Sequence, residues 1–172
     1  MEIDAGSEAP KKVNALIEIP KGSNIKYEYD EKLGAIRVDR ILHTAMFFPY
    51  NYGFVAGTLG EDGDPLDILV VSSAAFFPNT VVVARPIGMV RMKDEEGVDN
   101  KIVAVPLPKV DPEYANVNDI EDLSQHTRDM IVHFLSYYKA LEPGKWVKLD
   151  GWDDVKKAQQ CINDAISRRK KK

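Results

Sequence analysis

Two kinds of hydrophobic pattern divide the chain. Up to residue 105, apolar positions form short β-branched runs or alternate with polar ones, and Gly, Pro and acidic turns separate the runs. This pattern is typical of strands, and many short strands joined by turns favour a small antiparallel barrel. The predicted strands are residues 13–19, 25–29, 36–40, 66–72, 80–92 and 101–105.

The last third of the chain changes to helical spacing. Apolar side chains between residues 120 and 135 recur every three or four positions, which predicts an amphipathic helix. We expect Asn118 or Asp119 to cap it, and Pro143 with the glycine after it to end it. A second helix is predicted from near Asp153 through Ile166. Strands followed by helices predict an α+β fold with a mainly β core and two C-terminal helices.

The composition is that of one globular domain. The chain has 172 residues, of which 44% are hydrophobic and 29% charged, and a chain of this length buries a core without disulfides. We therefore interpret residues 1–172 as a single domain whose residues 1–12 form a loose lead-in. The single cysteine, Cys161, excludes a disulfide framework and a zinc site built from cysteines.

Charge and hydropathy indicate a soluble cytoplasmic protein. No run is long enough to span a membrane, and the N-terminus lacks the pattern of a secretory signal. The net charge of −4 argues against a duplex nucleic-acid binder. We interpret the five basic residues at 168–172 as a frayed helix end that complements the helix dipole, rather than as a nucleic-acid tail.

The densest chemistry lies in an acidic turn at residues 62–67. Asp62, Asp64 and Asp67 surround Gly63 and Pro65, which favour a tight bend that leads into an apolar strand. Crowded carboxylates repel one another unless a cation lies between them, and oxygen ligands select Mg²⁺, Mn²⁺ or Ca²⁺. The spacing does not fit an EF-hand loop, whose fifth position is leucine here. A solvated acidic turn is the alternative interpretation.

A second acidic turn, residues 94–101, closes the longest predicted strand. Asp94 and Asp99 flank a glycine, and Lys101 follows. Alone, this turn is typical of a solvated hairpin tip, but two carboxylate turns at strand ends of one barrel can assemble a multi-metal site that also holds phosphate. The aromatic stretch around Tyr52 allows two interpretations, a packed loop or a hydroxyl that contacts an anion.

Taken together, these segments resemble the soluble family I inorganic pyrophosphatases, in particular the short bacterial-type chains. The resemblance covers nearly the whole chain beyond the lead-in, and it implies a five-stranded OB-like closed β-barrel flanked by two C-terminal helices. It also implies an inorganic diphosphatase, in which a metal-activated water attacks pyrophosphate in line and releases two phosphates. The segments that carry it are residues 17–20, 26–28, 38–40, 51–54, 62–67, 94–101, 133–139 and 144–147.

The resemblance implies a role for each predicted site residue. Asp64 is expected to be the general base, while Glu18 and Glu28 are supporting acidic groups. The expected metal ligands are Asp62, Asp67, Asp94 and Asp99. The expected phosphate-binding residues are Lys26, Arg40, Tyr52, Lys101, Tyr138 and Lys139.

The same resemblance predicts cofactors and assembly. Several Mg²⁺ ions per site are expected, with Mn²⁺ or Zn²⁺ as substitutes, and the assembly is expected to be a homohexamer. Phe48 departs from the family pattern, which often has tyrosine before Pro49, so any hydroxyl contact from that position is absent. Tyr138 rather than Tyr137 is expected to face the site, and we interpret His133 as a packed or interface residue.

Two other function classes stay open at this point. An OB-like module for single-stranded nucleic acid would use the aromatic residues and the basic tail, but it leaves the acidic turns unexplained. A non-enzymatic Mg²⁺- or Ca²⁺-binding domain would require metal for folding or assembly, and its Lys26, Arg40 and Lys139 would be dispensable.

Overall fold

Five strands of the main sheet pair in a closed ring. The computed structural model describes residues 3–171. Its elements are β1 (Val13–Ile19), β2 (Ile25–Asp30), β3 (Ala35–Ile41), β4 (Asn51–Val55), β5 (Asp67–Val70), β6 (Thr80–Asp94), β7 (Gly97–Val98), β8 (Lys101–Pro106), α1 (Gln125–Tyr137), β9 (Val147–Asp154) and α2 (Val155–Lys171). The ring runs β1–β4–β5–β8–β6 and closes through the pairing of β6 with β1.

The long strand β6 makes this closure. Its first part pairs with β1 and its last part with β9, while β8 pairs along its middle. The register with β8 shifts between Pro86 and Gly88, where the strand bends. Gly88 is required there because a Cβ would lie 2.8 Å from both the Asp153 carbonyl oxygen and the Ile120 Cβ.

The two faces of the ring bury separate hydrophobic clusters. In β5, Leu69 contributes to the cluster that packs against α1, and its neighbours Ile68 and Val70 contribute to the cluster that packs against α2. Alternate side chains of a strand point to opposite faces, so β5 is buried on both sides. This double burial explains why the run at residues 66–72 is almost continuously apolar rather than alternating.

A second, smaller sheet stands apart from the ring. Strands β2 and β3 form a hairpin, which we call the β2–β3 ribbon, and among the described residues its strands pair only with each other. Its residues are half-buried or exposed, and Tyr27 and Tyr29 are among those that contact the rest of the fold.

The structure confirms the predicted α+β class, the closed five-stranded β core and the two flanking helices. The prediction of a wholly antiparallel barrel is wrong, because β5 and β8 run parallel. The expectation that all strands precede the helices is also wrong, since β9 lies between α1 and α2. The aromatic stretch around Tyr52 is strand β4 rather than a loop.

The first helix is shorter than predicted. Asp119 caps a short 3₁₀ turn at Ile120–Asp122, and Leu123 is extended, so α1 begins only after its own cap, Ser124. It ends at Tyr137, before Pro143 is reached. Within residues 3–171, neither helix is long and apolar enough to cross a bilayer.

The two chain ends pack differently from one another. Residues 3–12 contain neither strand nor helix, yet Ala5 is buried and its carbonyl oxygen accepts a hydrogen bond from the Asn14 N–H at 3.0 Å. Part of the predicted lead-in therefore contacts the sheet. The basic residues 168–171 form the last turn of α2, and Lys172 lies outside the described residues.

Candidate active site

One cavity of about 500 Å³ lies where β1, the β2–β3 ribbon, β4 and the ends of β6, β8 and α1 meet. Because the five-stranded ring closes, segments that are far apart in sequence reach the same opening. All the predicted site residues line it: Glu18, Lys26, Glu28, Arg40, Tyr52, Asp62, Asp64, Asp67, Asp94, Asp99, Lys101, Tyr138 and Lys139.

The acidic turn forms one wall of the cavity. Gly63 has a φ of +98°, which glycine adopts without strain, and Asp62 Oδ1 accepts a hydrogen bond from the Asp64 N–H at 3.0 Å. This turn leaves the Asp64 side chain exposed to the cavity, while Asp67 begins β5. Burial, with the nearby carboxylates of Asp67 and Asp64, raises the pKa of Asp62 despite that hydrogen bond.

A buried lysine separates two of the carboxylates. Lys101 Nζ donates a hydrogen bond to Asp99 Oδ1 at 2.5 Å and another to Asp67 Oδ2. Burial alone would lower the pKa of Lys101, but Asp67, Tyr52, Asp99 and Tyr138 together outweigh burial and hold the pKa well above its usual value. Burial raises the pKa of Asp99 to about 6, although the Lys101 ammonium opposes this shift.

A second group of charges surrounds the end of β6. Lys139 Nζ donates to Asp94 Oδ2 at 2.7 Å, and Glu95 Oε1 lies 2.5 Å from Lys145 Nζ. Burial works to raise the pKa of both acids, but the hydrogen bonds from Lys139 and Lys145, with those from backbone N–H groups, lower the pKa of Asp94 and bring that of Glu95 to about 2. Both acids are therefore carboxylates near neutral pH.

The β2–β3 ribbon brings further cations to the opening. Lys26 Nζ donates to Glu28 Oε1 and lies 3.5 Å from Asp39 Oδ2. Arg40 uses Nη1 to contact Asp39 and Nε to donate to Glu142 Oε1 at 3.0 Å. Lys26 and Arg40 are thus each held by at least one carboxylate.

The neighbouring β1 contributes a carboxyl group that favours its neutral form. Glu18 Oε1 accepts a hydrogen bond from the Tyr29 N–H at 2.7 Å. Burial nevertheless raises the pKa of Glu18 to about 7, because the loss of hydration destabilises the carboxylate more than this hydrogen bond stabilises it.

The aromatic residues divide between the cavity and the core behind it. Tyr138 is buried and stacks on Phe134 with ring centroids 5.2 Å apart, and it lines the cavity, whereas the neighbouring Tyr137 is exposed and packs against His133. Phe48 contacts the Tyr52 ring edge-on at 5.5 Å, in the core rather than in the cavity lining. Phe48 therefore supports the position of Tyr52.

Sequence reasoning assigned no role to three residues of this region. Glu95 and Lys145 lie within segments on which the family resemblance rests. The sequence therefore pointed to both segments, but it did not show that these two side chains form an ion pair. Glu142 carried no signal, because it bonds Arg40 across 102 positions of the chain.

The donor set fits divalent metal ions. Within residues 3–171, no three Asp, Glu, His or Cys side chains converge closely enough to hold one ion in this arrangement, and the Lys101 ammonium lies between Asp67 and Asp99. Among the residues that line the cavity, the side chains able to bind a metal ion are nevertheless Asp and Glu rather than His or Cys. Carboxylate oxygens suit hard cations such as Mg²⁺ rather than copper.

The profile of the inorganic pyrophosphatase family matches residues 15–170. The chain belongs to this family. It is 54% identical over 170 residues to the inorganic pyrophosphatase of Saccharolobus solfataricus, covering 99% of each chain. It is 55% identical over 168 residues to that of Sulfolobus acidocaldarius, covering 98% of this chain and 97% of the relative. The predicted family is therefore confirmed.

Solved structures agree with this assignment. The inorganic pyrophosphatase of Helicobacter pylori superposes with a TM-score of 0.95 at 46% identity, covering 99% of both chains. That of Thermus thermophilus superposes with a TM-score of 0.95 at 44% identity, covering 98% of this chain and 97% of the other. The predicted enzyme class, a hydrolase of pyrophosphate that uses a divalent metal, is confirmed, and neither non-enzymatic alternative is favoured.

Proposed function

We propose that the cavity binds pyrophosphate together with several Mg²⁺ ions and hydrolyses it to two phosphates by in-line attack of a metal-activated water. The observation that carries this proposal is the charge distribution in the cavity. Carboxylates of the two acidic turns share about 500 Å³ with cations of the ribbon, of β8 and of the turn that follows α1. A compact polyanion with its counter-ions requires this combination of groups.

The carboxylates Asp62, Asp67, Asp94 and Asp99 would hold the metal ions, with Mn²⁺ or Zn²⁺ as substitutes. When bound, such an ion lowers the pKa of a coordinated water toward about 7, so that hydroxide is available at neutral pH. Lys101 and Lys139 now neutralise Asp67 and Asp94. With those acids neutralised by bound metal instead, the two ammonium groups would be available to donate hydrogen bonds to phosphate oxygens.

Asp64 has the position and freedom of a general base. It lies in the middle of the acidic turn, its side chain is exposed to the cavity, and its backbone is fixed by the hydrogen bond to Asp62. It would accept the proton of the attacking water. Glu18 and Glu28 line the same cavity from β1 and β2 and would organise water and metal around the reaction.

Cations and hydroxyl groups on the other sides would bind the two phosphates. They offset the charge that develops on the leaving phosphate as the bridging P–O bond breaks. Tyr52 and Tyr138 are buried beside Lys101, whose Nζ lies 5.7 Å from the centroid of the Tyr52 ring. The residues proposed for this role are Lys26, Arg40, Tyr52, Lys101, Tyr138 and Lys139.

We further propose that residues 1–172 form one domain of a cytoplasmic homohexamer. Exposed apolar side chains support contacts between copies, and they include Phe77, which is 86% exposed, and Leu141, which is 65% exposed. His133, which packs against the exposed Tyr137, would lie at such a contact. Analytical ultracentrifugation measures the oligomeric state directly.

Phosphate release from pyrophosphate, with and without Mg²⁺, tests the proposed reaction. Wild type is compared with Asp64→Asn and Asp67→Asn, and circular dichroism shows that each variant is folded. Asp164→Asn, which changes an exposed acid of α2 outside the cavity, is the matched control. We expect Mg²⁺-dependent release that falls by about 10²-fold or more in both cavity variants and not in the control. Full activity of folded Asp64→Asn would exclude it as the base.

A further inference from the structure

The β2–β3 ribbon carries Lys26 and Arg40 to the cavity without a strand ladder to the ring. Among residues 3–171, its two strands pair only with each other. Its position relative to the carboxylates therefore depends on packing and on side-chain bonds that cross the gap. One such bond joins the Tyr29 N–H to Glu18, and another joins Arg40 to Glu142.

Glu142 is well placed to hold Arg40. It lies in the turn that follows α1, where its N–H donates to the Lys139 carbonyl oxygen at 2.9 Å and the following Pro143 restricts its backbone. Its side chain is only 8% exposed, and its Oε1 accepts the hydrogen bond from Arg40 Nε at 3.0 Å. Glu142 is absent from the lining of the cavity, so any effect it has on substrate passes through Arg40.

The other partner of Arg40 cannot do the same. Asp39 contacts Arg40 Nη1, but it precedes Arg40 on β3 and moves with the ribbon. Glu142 belongs instead to the turn that presents Lys139 to Asp94. The Arg40–Glu142 bond therefore joins two phosphate-binding walls of the cavity.

We propose that Glu142 is a positioning residue for pyrophosphate: it holds Arg40 by Nε, directs the terminal nitrogen Nη2 toward phosphate and fixes the ribbon relative to Lys139. This inference rests on the proposed function, in which Arg40 binds a phosphate. A bond to Nε leaves the terminal nitrogens of a guanidinium unused, and since Nη1 of Arg40 contacts Asp39, Nη2 is the nitrogen available to a second anion.

The sign of the effect distinguishes positioning from simple electrostatics. A carboxylate near a polyanionic substrate repels it, so removing the charge of Glu142 would lower KM if charge were its only effect. Loss of positioning raises KM instead, because Arg40 is then no longer held in the geometry that receives phosphate.

Two substitutions separate the hydrogen bond from the charge. Glu142→Gln removes the charge but keeps an acceptor for Arg40 Nε, and Glu142→Met removes both at similar length. With Mg²⁺ saturating, we expect Glu142→Met to raise KM for pyrophosphate about tenfold with kcat within about threefold, and Glu142→Gln to restore KM to within about threefold of wild type. Glu142→Asp, which keeps the charge but shortens the reach, should raise KM as Glu142→Met does.

A double-mutant cycle with Arg40→Met completes the test. We expect Arg40→Met to raise KM, and Glu142→Met to add less than about twofold in that background. Glu96→Gln, which removes an exposed acid of the cavity rim, should leave KM unchanged or lower it. Equal KM values for Glu142→Gln and Glu142→Met would overturn the inference. So would a tenfold rise in KM when Glu142→Met is added to Arg40→Met. An unchanged KM in Arg40→Met alone would instead contradict the proposed role of Arg40.

Discussion

Lys101 donates a hydrogen bond to Asp99 over 2.5 Å, from the start of β8 to the turn that precedes it. The same ammonium contacts Asp67 at the start of the parallel strand β5. Because Lys101 is buried, these contacts are screened little by water, and they join both acidic turns through one cation. The electrostatic balance of the cavity therefore depends on which cation neutralises Asp67 and Asp99.

Replacing Lys101 should destabilise the protein most when divalent metal is absent. Lys101→Met leaves two partly buried carboxylates without their countercharge, and we expect the free energy of unfolding to fall by about 3–5 kcal/mol. Saturating Mg²⁺ should reduce this loss, because the proposed ligands Asp67 and Asp99 then gain another cation. Urea unfolding with Mg²⁺ and with EDTA measures both values.

The control for this prediction is an exposed ion pair. Lys148, whose side chain is 69% exposed, lies 3.4 Å from Asp150, and Lys148→Met should change the unfolding free energy by less than about 0.5 kcal/mol. An equal loss for Lys101→Met in Mg²⁺ and in EDTA would contradict the proposed sharing of Asp67 and Asp99 with metal.

Glu18 should make stability depend on pH. Burial raises its pKa from 4.5 to about 7, so the folded protein keeps this proton while the unfolded chain loses it. This contribution favours folding below pH 4.5 and is lost as the pH rises toward 7. A glutamine at this position does not titrate, so the stability of Glu18→Gln relative to wild type should rise by about 2–3 kcal/mol between pH 5 and pH 8.

Urea unfolding of Glu18→Gln and wild type at both pH values, without divalent metal, checks this prediction. The glutamine keeps an acceptor for the Tyr29 N–H, so the loss of that hydrogen bond does not confuse the comparison. A stability difference that is the same at pH 5 and pH 8 would show that Glu18 titrates normally.

Asn51 is expected to be a major contributor to stability next to the cavity. Its fully buried amide accepts hydrogen bonds from the N–H groups of Lys21 and Phe76 and donates to Ser72 Oγ and the Ala74 carbonyl oxygen. Asn51→Ala leaves these buried groups unpaired and should cost about 3 kcal/mol, or roughly 6–12 °C in Tm. Thermal unfolding measures this loss, whereas the exposed Asn116→Ala should shift Tm by no more than about 2 °C.

The sequence predicted the strands whose pattern is local. Residues 13–19 of β1 form an apolar run that Pro20 ends, and the structure has that strand with the same bounds. β4 was missed because it contains a buried asparagine and Gly53, whose fit depends on the neighbouring strand. β9 was missed because Gly151 interrupts its alternation of apolar and charged residues. The segment becomes a strand by pairing with β6, which lies far away in the sequence.

For the candidate site, the family resemblance located residues that the structure brings to one cavity, but not their partners. Lys101 and Asp67 are 34 positions apart, and Arg40 and Glu142 are 102 positions apart. Such pairs form only when the ring closes and the ribbon folds against it. A single sequence does not indicate which residues so far apart along the chain will come into contact. The roles of these residues are predictions that the substitutions above test.

The close contact between β1 and β4 can be tested by a substitution at Gly53. Gly53 pairs with Ile17, and a Cβ at Gly53 would lie 1.9 Å from the Leu16 carbonyl oxygen. Gly53→Ala must therefore move the backbone of the strand that carries Glu18. We expect a loss of more than about 4 kcal/mol in unfolding free energy, or no folding, as measured by urea unfolding.

Gly22→Ala is the matched control, because within residues 3–171 no non-neighbouring atom lies within 4 Å of the added Cβ and only the φ of +86° is strained. That strain should cost about 1–2 kcal/mol. The difference between the two variants isolates the close approach of β1 to β4 from the conformational preference of glycine. Equal stability of Gly53→Ala and Gly22→Ala would mean that β1 and β4 do not pack at this distance, and the position of Glu18 beside the cavity would then need revision.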